Sequence, residues 1–274
     1  MKVLIVYKKS TYSFYRGSDI KLSPDDLKKL KASDSANTRS IRSVERALEA
    51  KRIHYKSVYR ADYTEAKDFD FVFSVGGDGT FIEATRCLDD QPILGVNSDV
   101  NSSFGNYCRA NEKNIYDAIG SVLEGKAKIE KRYRIVIKVN GIEHSFPAMN
   151  DLLIHHASPA GLTRYVLDNG EEHFCSGMWI STASGSTGAI DSFGGLAQFS
   201  DSPTLQIKAF GMNRNKVKDC EYAEGWVYES FLGITSKMRE GKIFVDGQHV
   251  EIDFPFNSRL EVSSGKPICF VSNV

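Results

Sequence analysis

Residues 69–80 of this chain have the sequence FDFVFSVGGDGT, which gives the strongest indication of the fold. Its first seven residues are mostly apolar, aromatic or β-branched, a pattern that predicts a buried β-strand. Residues 80–88 predict a helix, because Thr80 can cap it and Glu83 stands at the capping-box spacing. A strand therefore turns into a helix across three glycines and Asp78.

Such a turn suits phosphate chemistry. Glycines allow backbone amides to approach a ligand closely, and a helix N-terminus offers unpaired N–H groups and partial positive charge. Asp78 can orient a Mg²⁺–phosphate group or accept the proton of an attacking hydroxyl. A tight turn with a surface carboxylate is the simpler alternative, and the motif alone leaves both open.

Two better-known phosphate motifs do not fit. The dinucleotide fingerprint fails because Ile82 stands where its third glycine should be. Gly120 to Lys126 has the spacing of a Walker A loop, but Ala127 replaces the hydroxyl that would bind Mg²⁺. Residues 114–124 also have helical periodicity, whereas a Walker A loop follows a strand.

Composition excludes several function classes. Among 274 residues, Lys+Arg and Asp+Glu are balanced at 35 each, which argues against a nucleic-acid partner. No apolar run approaches the about 20 residues of a membrane span, and the N-terminus enters a strand directly, so we expect no membrane association and no signal peptide. The cysteines are widely spaced without a C-x-x-C motif, which fits neither a disulfide framework nor a zinc site and indicates a cytoplasmic protein. They are Cys87, Cys108, Cys175, Cys220 and Cys269.

The chain reads as two domains. Residues 1–128 alternate strands and helices, which predicts an α/β domain with a parallel sheet. Its predicted strands are 3–7, 53–58, 69–75 and 92–96, its helices 38–51, 80–88 and 114–124, and its residues 10–36 a loop with a short helix near 24–30. Residues 129–274 predict an antiparallel β-sandwich. Its strands are expected at 133–139, 146–155, 162–167, 178–181, 205–209, 241–245, 249–254, 260–263 and 268–272.

Three polar clusters lie in the second domain. Asn150-Asp151 precedes an apolar strand and could bind ribose hydroxyls or an adenine edge, or could form a strand-entry turn. Residues 181–188, STASGSTG, could wrap a sugar or phosphate with backbone amides, or could be a linker. Residues 245–248, VDGQ, carry a hairpin signal that could stand alone as a turn.

The order of these clusters resembles the NAD kinase family over nearly the whole chain, from the strand at Val3 to Gln248. Residues 94–97, LGVN, match that family's strand before its nicotinamide-side loop. The GGDGT motif alone is shared with diacylglycerol and sphingosine kinases and with 6-phosphofructokinase. The later clusters select the NAD kinases.

The resemblance implies phosphorylation of the adenosine-ribose 2′-hydroxyl of NAD to give NADP, with ATP or inorganic polyphosphate as donor and Mg²⁺ as cofactor. Asp78 aligns with the residue taken as the base on that hydroxyl. The resemblance also implies a homodimer or homotetramer, and assigns no protein residue as a metal ligand. The expected binding residues for NAD and the phosphates are Gly76, Gly77, Gly79, Thr80, Asn150, Asp151, Ser186, Thr187, Gly188, Asp191 and Gln248.

The chain departs from the usual family pattern at several places. Asn150-Asp151 replaces Asn-Glu, and Ala189 stands where the binding loop usually has Tyr. Ser176-Gly177 replaces Asp-Gly, and residues 98–105 replace a glycine-rich loop. These positions look more like the divergent branch that includes mitochondrial NAD kinases and plant NADH kinase.

We therefore expect NADH to be accepted at least as well as by most family members. Two alternatives stay open: a lipid kinase with the same N-terminal turn, and a non-catalytic dinucleotide-binding regulator.

Overall fold

The computed structural model describes residues 1–213, 215, 226–228 and 231–274. The chain divides into two compact units, each with its own hydrophobic core. The first unit comprises Met1–Lys131 and Ile268–Val274, and the second comprises Arg132–Pro267. Within these described ranges, no helix has both the length and the apolar composition needed to cross a bilayer.

The first unit is an α/β domain built on a parallel sheet. Its elements up to residue 132 are β1 (Lys2–Tyr7), α1 (Thr11–Tyr15), α2 (Pro24–Ala50), β2 (His54–Tyr59), a 3₁₀ turn (Arg60–Asp62), β3 (Phe71–Gly76), α3 (Asp78–Thr85), β4 (Pro92–Asn97), β5 (Cys108–Asn111), α4 (Ile115–Leu123) and β6 (Lys128–Arg132). Strands β2, β1, β3 and β4 lie side by side in that order, all parallel. Side chains of the sheet, α2 and α4 share one core, so parallel strands are covered as their apolar runs require.

The second unit is a sandwich of two antiparallel sheets. Its elements are β7 (Ile135–Val139), β8 (Ile142–Glu143), β9 (Asp151–His156), β10 (Thr163–Leu167), β11 (Glu172–Cys175), β12 (Gly177–Thr182), a 3₁₀ turn (Ala189–Phe193), β13 (Leu205–Phe210), β14 (Trp226–Tyr228), β15 (Phe231–Ser236), β16 (Gly241–Val245), β17 (Glu251–Asp253) and β18 (Arg259–Ser264). The sheet orders are β11-β10-β15-β18-β7-β8 and β14-β13-β12-β9-β16-β17. Buried side chains of both sheets share one core, which confirms the predicted fold class.

The last strand, β19 (Ile268–Asn273), departs from the expected division of the chain at residue 128. It pairs in parallel with β4 in the sheet of the first unit, with Phe270 opposite Ile93. Its consecutive residues Phe270 and Val271 are both buried. A strand buried on both faces suits a parallel sheet, but a short apolar run does not reveal which sheet it joins.

The first unit also differs from the expected loop at residues 10–36. Pro24–Ala50 is one helix of 27 residues, so the prediction of a loop with a short helix was wrong. Its start is fixed by the Ser23 hydroxyl, which accepts the Asp26 N–H at 3.1 Å, and by Pro24 at the first helical position. The polar first half lacks apolar periodicity, because most of its side chains face solvent.

Helix α3 begins at Asp78, two residues before the start at Thr80 that the capping-box spacing predicted. Gly77 is the N-cap residue, and its carbonyl accepts the N–H groups of Thr80 and Phe81 at 3.0 and 3.2 Å. Asp78 therefore stands in the first turn of the helix, where a carboxylate interacts favourably with the helix dipole.

Candidate functional site

The glycine turn is closely packed at Gly76 and Gly77 and accessible to solvent at Gly79. A Cβ atom on Gly76 would lie 2.2 Å from Thr80 Oγ1, and one on Gly77 would lie 2.6 Å from Ser103 Oγ. Both positions therefore exclude larger residues. Gly79 is exposed, and a Cβ atom there would have Arg60 Nη1 at 3.9 Å as its nearest neighbour. The start of α3 thus presents accessible backbone, the arrangement that binds phosphate groups.

Asp78 is held in place by the loop before β5. Its Oδ1 accepts the Tyr107 N–H at 2.8 Å. The Tyr107 ring stacks on Phe81 with ring centroids 4.8 Å apart and planes within 2°, and Phe270 packs edge-on against both rings. Because Phe81 belongs to α3, the aromatic cluster ties the hydrogen-bond donor to the helix that carries Asp78. The half-buried carboxylate is thereby preorganised.

The loop after β4 lies beside the glycine turn, at the carboxyl ends of the parallel strands. The Ser98 N–H donates to Gly76 O at 2.9 Å. The Asn97 side chain accepts the Asp99 N–H and donates to Ser103 O, both at 3.0 Å. Residues 97–103 are thus fixed against the glycine turn.

The sequence analysis missed two charged groups at the carboxyl ends of the parallel strands. They are Lys8, directly after β1, and Asp99, shortly after β4. Burial of Asp99 acts to raise its pKa, but hydrogen bonds from Ser33, Ser102 and the Asn101 N–H, together with the Lys8 charge, outweigh it and lower the pKa. Burial lowers the pKa of Lys8, and Asp99 acts against that change. Their positions after the carboxyl ends of two strands of the same parallel sheet were the available signal.

In the second unit, Asn150 and Asp151 are held by the carboxylate of Asp246. Its Oδ2 accepts the Met149 N–H at 2.9 Å, and its Oδ1 accepts the N–H groups of Asn150 and Asp151 at 2.7 and 3.2 Å. Asp246 has a positive φ of 50° and precedes Gly247 in the turn after β16. The VDGQ segment is thus more than a turn, because it fixes the backbone on which Asn150 and Asp151 stand.

Asp151 has an unusual electrostatic environment. Its residue is 6% exposed. Burial, followed by the neighbouring charge of Asp246, raises the pKa of Asp151 to about 7. Its carboxyl group therefore exchanges a proton near neutral pH, and in its neutral form it can donate a hydrogen bond.

The hydroxyl-rich loop packs directly on this segment. The Thr182 hydroxyl donates to Met149 O at 2.8 Å and accepts the Gly185 N–H at 3.0 Å. A Cβ atom on Gly185 would lie 2.4 Å from Asn150 O, so only glycine fits there. The structure therefore brings the loop and Asn150 together.

The remaining predicted residues differ in accessibility. Ser186 is fully buried, and its hydroxyl donates to Ala183 O at 2.8 Å and accepts the Gln198 N–H at 2.9 Å. Its hydroxyl thus holds the loop together. Thr187, Gly188 and Asp191 are exposed at the end of the loop, and Gln248 is exposed in the turn that begins with Asp246.

The described residues include free cysteines and no side-chain cluster that could hold a metal ion by itself. Cys87, Cys108 and Cys269 are free thiols, Cys175 is buried in the core of the second unit, and Cys220 lies outside the described residues. No group of three or more His, Cys, Asp or Glu side chains among the described residues could hold a metal ion by itself.

A parallel α/β unit with a glycine turn at a helix start, followed by a β-sandwich unit, is suited to binding phosphate groups, and similarity to known proteins identifies the family. The family model described as ATP-NAD kinase N-terminal domain matches residues 19–127. A protein from Oryza sativa subsp. japonica, named probable NADH kinase, is 31% identical over 248 residues, covering 81% of this chain and 76% of that protein. The chain belongs to the NAD kinase family.

Other relatives agree with this assignment. The NADH kinase of Arabidopsis thaliana is 27% identical over 310 residues, covering 97% of this chain and 94% of that protein. The fold matches an NAD kinase from Archaeoglobus fulgidus in complex with ATP, with a TM-score of 0.71, 20% identity and coverage of 100% and 94%. It also matches yeast NADH kinase complexed with NADH, with a TM-score of 0.73, 14% identity and coverage of 100% and 84%.

Proposed function

We propose that this protein phosphorylates the 2′-hydroxyl of the adenosine ribose of NAD or NADH, producing NADP or NADPH. Membership of the NAD kinase family supports the proposal. The relatives from rice and Arabidopsis are named as NADH kinases, which supports the reduced dinucleotide as an acceptor. The lipid-kinase and regulator alternatives gain no support from relatives with these names.

The observation that carries the mechanism is the fixed position of Asp78. Its carboxylate accepts the Tyr107 N–H in the first turn of α3, between two glycines. In the proposed step the ribose oxygen forms a bond to the terminal phosphorus of the donor. The bond between that phosphorus and the bridging oxygen breaks, and the hydroxyl proton passes to Asp78. Positioning and charge neutralisation supply most of the catalysis in such reactions.

We propose ATP or inorganic polyphosphate as donor, with Mg²⁺ as cofactor. The relative from Archaeoglobus fulgidus was crystallised with ATP, which supports the nucleotide. Mg²⁺ commonly binds through one or two carboxylates plus substrate phosphates and water, and this fits a site without a three-ligand protein cluster among the described residues. Asp78 and Asp99, which follow the carboxyl ends of β3 and β4, are the carboxylates that would hold the ion. The bound ion would neutralise phosphate charge.

The two units receive different roles in this proposal. Gly76, Gly77, Gly79 and Thr80 bind phosphate groups through the start of α3. Ser186 shapes the loop in the second unit. The residues proposed to contact the dinucleotide there are Asn150, Asp151, Thr187, Gly188, Asp191 and Gln248.

We further propose that the protein is a homodimer or homotetramer and that it acts in the cytoplasm. The oligomer is supported by the family resemblance and by exposed apolar side chains of the second unit, such as Phe199 at 89% and Phe256 at 61% exposure. The compartment is supported by the free thiols of Cys87, Cys108 and Cys269.

The test is a coupled assay of NADP(H) formation with each acceptor and donor pair. Asp78→Asn should lower turnover by about 10²–10⁴-fold, the usual loss when a general base is removed, with dinucleotide binding nearly intact. Asp68→Asn, which changes an exposed carboxylate of the same unit, is the matched control. Wild-type turnover in Asp78→Asn would remove Asp78 from the mechanism.

A further inference from the structure

Lys8 is anchored beside the glycine turn by its main chain. Its N–H donates to Val75 O at 3.2 Å, and its carbonyl accepts the Asn37 side-chain N–H at 2.9 Å. Val75 immediately precedes Gly76 in β3. The first residue after β1 is therefore held next to the residue that opens the turn.

The side chain of Lys8 is half-buried, and within the described residues its ammonium group makes no ion pair. Its electrostatic neighbours are Asp99, Arg60 and Cys108. Partial burial disfavours the charged ammonium, and the lowered pKa of Lys8 reflects this. A cation in such surroundings gains most from an anion that arrives from solution.

Arg60 provides a second cation on the same turn, but its charge is already engaged. Its Nε lies 3.2 Å from Glu83 Oε2, and Glu83 belongs to α3. Its Nη1 lies near the exposed Gly79. Unlike Arg60, Lys8 makes no ion pair in the described residues, although Asp99 acts on it as an electrostatic neighbour.

Two buried hydroxyls next to the turn also lack hydrogen-bond partners among the described residues. They are Thr80 Oγ1, in the first turn of α3, and Ser98 Oγ, whose backbone N–H donates to Gly76 O. Both residues are at most 2% exposed. Both oxygen atoms are enclosed at the turn, while the exposed start of α3 and the nearby Lys8 cation have the chemistry of a site for a multiply charged oxyanion.

We propose that Lys8 binds the phosphate chain of the phosphoryl donor at the glycine turn and is a catalytic residue of the transfer. This assignment rests on the proposed kinase function. An ammonium group suits a phosphate chain because it is a compact charge with three donors. It would stabilise the charge that gathers on the bridging oxygen as the terminal phosphoryl group leaves.

The test compares Lys8→Met and Lys8→Arg with Lys9→Met, which removes the adjacent exposed lysine that lies over the Tyr59 ring at 4.2 Å. Calorimetry would measure binding of ATP, ADP, AMP, tripolyphosphate and NAD. Loss of a hydrogen bond to a charged group should weaken ATP binding about tenfold to a hundredfold in Lys8→Met. The loss should decrease from ATP to ADP to AMP, NAD binding should change little, and Lys8→Arg should recover part of the loss. Comparing the affinities for ATP and tripolyphosphate distinguishes a nucleotide donor from an inorganic one.

A measurement on the wild-type protein does not depend on variants that fold. Acetylation of lysines, followed by mass spectrometry, should lose labelling at Lys8 and not at Lys9 when ATP or tripolyphosphate is bound. Equal labelling of Lys8 with and without these ligands, or equal effects of Lys8→Met on ATP and NAD, would overturn the assignment. A wild-type protein that binds ATP but forms no NADP(H) would count against the proposed function instead.

Discussion

Replacing Asp151 with Asn should stabilise the protein, and should do so more at pH 8 than at pH 5. Asp151 is 6% exposed, and burial together with Asp246 raises its pKa from 3.8 to about 7. The Asn amide has nearly the same shape and cannot ionise. The variant therefore removes the energetic penalty of ionising a buried carboxyl group beside another carboxylate.

The sign and size follow from proton linkage. Between the unfolded pKa of 3.8 and the folded pKa of about 7, the folded state holds a proton that the unfolded state has lost. The free energy of unfolding of the wild type therefore falls as pH rises through this window and levels off above it. The free energy changes by about 1.4 kcal/mol for each pH unit within this window. The stability advantage of Asp151→Asn should therefore grow by about 2.5 kcal/mol between pH 5 and pH 8.

Urea unfolding followed by tryptophan fluorescence measures this difference in the relevant unit. Both tryptophans, Trp179 and Trp226, belong to the residue range of the second unit. Asp168→Asn in the same unit is the matched control. Asp168 is hydrogen-bonded to Arg259 at 2.7 and 2.9 Å, and these bonds lower the pKa of Asp168 from 3.8, so its titration is complete below pH 5.

The control variant should thus differ from the wild type by the same free energy at both pH values. If Asp151→Asn shows an equally flat difference, Asp151 is ionised throughout this range and the reasoning from its burial fails. A difference that shrinks as pH rises would refute it even more directly, because the sign would be reversed.

Three further predictions concern binding, specificity and assembly. Asn150→Ala should weaken dinucleotide binding more than donor binding in calorimetry, because Asn150 stands on backbone fixed by Asp246; equal losses would leave only a structural role. Ala189→Tyr should shift preference towards NAD⁺ several-fold, since an added ring favours the cationic nicotinamide, and an unchanged ratio of NADH to NAD⁺ turnover would contradict this. Light scattering at micromolar concentration should find a dimer or tetramer, and a monomer would exclude the proposed assembly.

The glycine turn was predictable because its strands and its backbone geometry leave strong local signals. Strands β1, β3 and β4 are buried on both faces, so they appear as continuous apolar runs. Gly76 and Gly77 are required because side chains there would collide with Thr80 and Ser103. These signals lie within a few residues of one another, which is the range that sequence patterns report well.

Other elements depend on pairing partners that are distant in sequence. Strand β6, Lys128–Arg132, has the sequence KIEKR and no apolar alternation, while β11, Glu172–Cys175, is defined by its hairpin with β10. Their conformation follows from hydrogen bonds to neighbouring strands more than from local preference. The two charged residues Lys8 and Asp99 were missed for a related reason. The parallel sheet places both residues at the carboxyl ends of its strands, although 90 residues of chain separate them.

Asp246 shows why the polar clusters of the second unit could be recognised but not explained from sequence. The Asp-Gly pair is a sufficient turn signal by itself, so the local interpretation was complete without any role for the carboxylate. In the fold, β16 pairs with β9, which brings Asp246 to the N–H groups of residues 149–151. Burial raises the pKa of Asp151, and the charge of Asp246 raises it further. One side chain therefore both fixes the backbone of the proposed binding pair and adds to the proton affinity of one member, so a change at Asp246 should alter both properties together.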